Sequence, residues 1–250
     1  DITPDIFYQK QASGSVITTS QPSPGDVAAM WDRLLSSYDE IVFIPMSSGL
    51  SNTCQTALIL ADDEPYRGKV HVVDNHRISV TQAVSVLDAK ILADEGRSGA
   101  EIKQILEQEA LDATIYIAVD TLEYLKKGGR ITPAAAAFGS MLRIKPVLTI
   151  QGGKLDSCAR ARGMRSAFHT MLGALKKDLD TRLAPLRAQG CLKVGLANTP
   201  MEPEKLDAFK AEMHENFPDM DFVYFPLTMS IGTHVGSGGL GIGAVRFHDK

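Results

Sequence analysis

Three short apolar runs, each followed by a stretch of helical character, constrain the fold of this 250-residue chain more than any other feature. Glu40 to Met46 (EIVFIPM), Val70 to Asp74 (VHVVD) and Thr114 to Val119 (TIYIAV) are short, apolar and rich in β-branched residues, as buried strands are. Between them lie the helices. Ser51 is placed to cap one that runs to about Ala61, and a second covers Ile78 to Glu95. Ser98-Gly99-Ala100-Glu101 is a capping box that opens a third, ending near Leu111. Upstream, Thr3-Pro4 and Pro24-Gly25-Asp26 each start a helix, with proline in the first turn. Strands and helices alternating through such short connections predict an α/β fold with a parallel sheet, in which Thr114 to Val119 is the third strand.

The second half has a different pattern. Ile144 to Ile150 and Lys154 to Arg160 flank Gln151-Gly152-Gly153, which reads as a hairpin around a glycine turn. A long helix from about Met164 to Gln189 is broken near Pro185, followed by a strand (Leu192 to Ala197), a helix (Glu202 to Phe217) and a strand (Asp221 to Phe225). The expected division is therefore an N-terminal Rossmann-like parallel α/β domain, residues 1–124, and a C-terminal mixed or antiparallel α/β domain, residues 125–250.

Composition excludes several partners. A net charge of −4, with no run of lysine or arginine, leaves no electrostatic footprint for nucleic acid or an anionic membrane. The apolar stretches fall well short of the roughly 20 residues a membrane span needs, and no secretory signal is visible. Cys54, Cys158 and Cys191 are odd in number and widely spaced, so no disulfide framework is expected and a reducing cytoplasm is the simple reading. A monomer is the default expectation.

Four blocks of small residues carry whatever chemistry the chain has: Thr18 to Pro22, Ser47 to Thr53, Lys126 to Arg130 and Ile231 to Gly238. Ser47, Ser48 and Ser51, with Asn52 and Thr53, follow a buried strand and precede a helix, where unpaired N–H groups face anions. They can surround a carboxylate or phosphate, or simply cap a helix and satisfy a turn. Thr19 and Ser20 stand before Gln21-Pro22, and locally an ST-turn explains them. Lys126 and Lys127 suit the dipole at a helix end closed by glycine, whereas Arg130 follows two glycines and can pair with an anion or a structural carboxylate. His234, flanked by Gly232 and Gly236, can orient a polar network, though a lone histidine is commonly structural. Metal-ligand spacing is absent, and the glycine-rich tail lacks the following βα unit of a dinucleotide site. The small residues from Ala134 to Leu142 either pack a helix closely or leave room for an apolar tail.

Taken in order, these blocks resemble the bacterial DegV family, which includes the fatty-acid-binding subunit of the fatty acid kinase system. The resemblance rests on Thr19 to Pro24, Ser47 to Thr53, Val73-Asp74, Leu125 to Ile131, Ile144 to Leu148 and Ile231 to Gly236, and spans essentially the whole chain. It implies two α/β domains with a long-chain fatty acid between them, its tail in an apolar tunnel. Thr19 and a serine of the Ser47-Ser48 pair would grip the carboxylate, and Arg130 and His234 would complete the polar network. Ser20, Ser51, Asn52 and Gly232 fall in the matching blocks and join the candidate set. The resemblance further implies a kinase partner that converts the bound acid to an acyl-phosphate, with no cofactor and no catalysis by this chain. Family members carry a strand upstream of the segment matching Asp1, so the N-terminal domain is expected to lack its first strand here. Val80-Thr81-Gln82 stands where many members have a glycine-containing helix start, which leaves Asn75 and Ser79 outside the candidate set. Two rival functions remain: a serine/histidine acyl hydrolase or transferase using Ser48 or Ser51 with His234, and a binder of another small carboxylate or phosphate.

Overall fold

The computed structural model describes residues 2–137 and 144–248. The chain opens with helices α1 (Pro4–Ala12) and α2 (Pro24–Leu35), started by Thr3 and Ser23, whose side chains accept N–H groups of the first turn. Strand β1 (Ile41–Phe43), helix α3 (Thr53–Ala61), strand β2 (Val70–Val72), helix α4 (Ser79–Asp94) and helix α5 (Gly99–Gln108) follow. Strands β1 and β2 pair in parallel, as the alternation predicts. Both are shorter than expected, because the ladder cannot extend past Phe43: the Ile44 carbonyl accepts from Gln82 Nε2 (3.0 Å) and Pro45 has no N–H to donate. Trp31, fully buried, stacks edge-on against Phe43 and Tyr66 in the core of this small unit. The Ser98–Glu101 capping box forms as read, with both reciprocal bonds present. Ser51 does not occupy the cap position of α3. Asn52 does, without a side-chain bond, while Ser51 Oγ accepts from Thr53 N (3.2 Å) one residue earlier.

The remaining described elements are β3 (Ala113–Ala118), α6 (Glu123–Gly128), α7 (Pro133–Ala136), β4 (Ile144–Ile150), β5 (Asp156–Arg162), α8 (Gly163–Asp180), α9 (Ala184–Ala188), β6 (Leu192–Asn198), α10 (Pro203–Asn216), β7 (Asp221–Tyr224), α11 (Met229–Val235) and β8 (Leu240–Arg246). They build a six-stranded sheet in the order β5-β4-β3-β8-β6-β7, antiparallel except for β6 with β7. Here the structure corrects the sequence reading. Strand β3 is not the third strand of the parallel sheet; it lies inside the mixed sheet, antiparallel to both β4 and β8. The glycine-rich tail, read only as a tail, supplies β8, which runs between β3 and β6. Gly243 allows this: a Cβ there would collide with the Thr114 carbonyl of β3. Gly243→Ala is accordingly expected to cost about 2–3 kcal/mol through overpacking, measurable as a lower denaturant midpoint.

Alternation along β3 assigns its two faces. Tyr116 and Ala118 point into a core closed by α8 through Phe168, Met171 and Leu175, all fully buried. Ile115 and Ile117 face the other way, toward α4 and the segments carrying the small-residue blocks. The three cysteines are free thiols, and none of the described helices is long and apolar enough to cross a membrane.

Candidate functional site

On the face of β3 opposite α8, all four blocks of small residues converge. Residues 13–22, between α1 and α2, form no helix or strand and carry Thr19 to within 2.8 Å of His234 on α11 (Oγ1 to Nε2). Arg130 follows the end of α6, where Gly129 adopts the left-handed conformation (φ +67°) that closes the helix. Its Nε donates to the Leu50 carbonyl (3.1 Å) and its Nη1 to the Gly128 carbonyl (2.5 Å), which fixes the guanidinium plane. Among the described residues Nη2 has no protein hydrogen-bond acceptor, so one edge of the fork remains for an anion. Gly128 lets the imidazole lie against the α6 backbone, since a Cβ at that position would collide with His234 Nδ1.

Burial, and secondly the Arg130 charge, push the His234 pKa below its ordinary value. The ring is therefore neutral at pH 7, with one donor and one acceptor nitrogen. Because the folded protein resists this proton, His234 contributes a loss of stability as pH falls below about 6.5, where the unfolded chain takes the proton up. An NMR titration should place the His234 midpoint below that of a model imidazole; a midpoint at or above it contradicts this electrostatic picture.

Thr19, Ser20, Ser51, Arg130 and His234 line one cavity of about 190 Å³, whose remaining wall is largely apolar: Met46, Leu50, Ile78, Leu125, Leu155 and Val235. Leu50, Ile78, Leu155, Ile231 and Val235 also line a deeper, wholly apolar cavity floored by Ile115, Ile117, Ile150 and Ala197 of the mixed sheet. Thr19, Arg130 and His234 also border a second, larger chamber of about 560 Å³, whose lining includes Gln11, Ser15, Thr18, Glu123 and Lys127. These three residues thus border both the largely apolar cavity and the larger chamber with its more polar lining.

The other candidates lie outside this lining. Ser47 is completely buried, its Oγ donating to the Gly152 carbonyl of the β4–β5 turn (3.1 Å) and accepting from Gly49 N (3.2 Å). Ser48 N donates to Asp74 Oδ1 (3.3 Å), and Asn52 is exposed. Gly232 packs beneath the Tyr8 ring, and its carbonyl accepts from Gln11 Nε2 (3.1 Å), docking α1 on α11. Ala135 is buried against Leu125, Ile131, Leu148 and Val235, so it serves helix packing and does not line a cavity; Phe138 to Leu142 lie outside the described residues. Sequence reasoning missed Ile78, Leu155, Ile231 and Ala197, because an apolar residue facing a cavity has the same pattern as one facing a core. Among the described residues, no group of three or more His, Cys, Asp or Glu side chains is placed to hold a metal ion.

Comparison with known proteins decides the family. The model of the uncharacterised DegV family matches residues 1–246. The chain belongs to the DegV family. Protein DegV of Bacillus subtilis is 32% identical over 238 residues, covering 94% of this chain and 82% of the relative. A DegV domain-containing protein of Clostridium acetobutylicum is 31% identical over 245 residues, 97% of this chain and 83% of its own length. Among solved structures, a DegV-family protein from Thermus thermophilus, described for its fatty acid binding, superposes with a TM-score of 0.86 at 32% identity, covering 99% of this chain and 85% of its own. DegV of B. subtilis, described as a fatty acid binding protein, gives 0.79 at 27% identity, with coverage of 97% and 83%. The mixed α/β architecture of this DegV-family chain is thus shared across the full breadth of the match.

Proposed function

We propose that the chain binds a long-chain fatty acid, with the acyl tail in the apolar cavities and the carboxylate held by Thr19, Arg130 and His234. The observation that carries this reading is the position of those three residues, shared between the largely apolar cavities and the larger chamber with its more polar lining. Each buried methylene contributes about 0.8 kcal/mol, so the tail supplies most of the affinity. The free edge of the Arg130 fork supplies the charge, and the Thr19 hydroxyl with neutral His234 completes the hydrogen bonding. The fatty-acid binding described for two DegV-family structures above 25% identity supports it.

The carboxylate, facing the larger chamber, is presented to a fatty acid kinase partner that forms the acyl-phosphate, while the chain itself breaks no bond. The same proposal has it acting in the cytoplasm as a monomer. An acyl hydrolase is disfavoured, since His234 Nε2 faces Thr19 rather than a serine and, among the described residues, no carboxylate pairs with the ring. Thr19→Ala should weaken fatty acid binding by about fivefold in an equilibrium titration, the worth of one hydrogen bond, with the fold intact by circular dichroism. Unchanged affinity would remove Thr19 from the carboxylate site.

A further inference from the structure

We propose that Gln21 and Thr56 form a clasp that positions Thr19 and Ser20 over the head-group cavity and governs how fast the ligand leaves. The proposal rests on the fatty acid reading above. Residues 13–22 strap across both compartments: Gly14 to Thr19 border the larger chamber, and Thr19 to Pro22 the head-group cavity. Among the described residues, the backbone of residues 16–22 makes no backbone–backbone hydrogen bond. Two side-chain ties hold this stretch instead. One is Thr19 to His234, which belongs to the site itself.

The other is reciprocal. Gln21 Nε2 donates to Thr56 Oγ1 (3.1 Å), and the same hydroxyl donates back to Gln21 Oε1 (3.2 Å). Thr56 sits on α3, anchored by fully buried Cys54 and Ala57, so the clasp ties the strap to a rigid element. Pro22 fixes its own φ and holds Gln21 extended, so a constraint at Gln21 is transmitted to Ser20 and Thr19. At the far end Gly14 adopts φ +88°, with space around it, and provides a point about which the strap swings. A segment held by so few bonds opens locally at low free-energy cost, and breaking one tie lowers that cost further. Thr56 lines neither compartment and is a positioning residue.

The test compares Thr56→Val, which keeps the shape and removes the hydroxyl, with Thr56→Ser, which keeps the hydroxyl. Dissociation of radiolabelled oleate should be about three- to tenfold faster from Thr56→Val than from the parent chain, the worth of a hydrogen bond, with thermal stability unchanged. Thr56→Ser should dissociate at the parent rate. The backbone order parameters of residues 16–20 in ligand-free protein, from 15N relaxation, should fall in the valine variant and not in the serine variant. Parent-like oleate release from Thr56→Val, or a serine variant as fast as valine, would overturn the clasp. If the parent chain takes up no oleate, the fatty acid reading falls instead, and the order parameters of the ligand-free strap alone decide the clasp: a fall in valine only upholds it, and parent-like values overturn it.

Discussion

Arg130→Leu is expected to weaken binding of every long-chain fatty acid by the same factor, about 10- to 100-fold, corresponding to the roughly 1.5–3 kcal/mol of a charge-assisted hydrogen bond. The uniformity is the diagnostic part. The guanidinium meets the end of the ligand that all such acids share, so the loss should not depend on chain length. Arg130 also ties down the Leu50 and Gly128 carbonyls, and its removal loosens the segment that seats His234. Arg130→Lys separates the two contributions. Lysine keeps the charge but cannot hold two carbonyls and an anion in one plane, so an intermediate loss is expected. Titrations with saturated acids of increasing length check this, and a loss that grows with chain length would place Arg130 along the tail instead of at the head.

Ala197→Phe should behave in the opposite way. Ala197 is nearly fully buried on β6 and borders the deep apolar cavity beside Ile115, Ile117 and Ile150. A phenyl ring there occupies volume the tail would use. At about 0.8 kcal/mol per methylene, excluding four of them costs about 3 kcal/mol, roughly a hundredfold for the longest acids. Acids too short to reach the cavity should bind as to the parent chain. An unchanged length profile, with the variant folded, would mean that the tail does not run along the mixed sheet.

What the sequence discloses depends on how local the determining interaction is. The Ser98–Glu101 capping box and the hairpin around Gln151 to Gly153 were readable because the residues that fix them lie within a few positions of one another. The break between α8 and α9 was readable from Pro185 for the same reason. The placement of β3 was not: Thr114 to Val119 has the pattern of a buried strand in either sheet, and its partners are strands reached only through long-range pairing. Strand β8 was hidden by Gly241 and Gly243, which lower strand propensity, although Gly243 permits the close approach of the β3 backbone. At the site, family resemblance pointed to Thr19, Arg130 and His234, which the fold brings around one cavity. Ser47 and Ser48 stand in the same kind of block, but they hold the β4–β5 turn and Asp74, a role set by tertiary contacts that block composition cannot reveal.

Native mass spectrometry of the gently purified chain, before and after delipidation and reloading with oleate, tests fatty acid binding most directly. The expected result is a mass increment of one long-chain fatty acid per chain, lost on delipidation and restored by oleate. A folded chain that carries no such increment and takes up none when oleate is offered would contradict it.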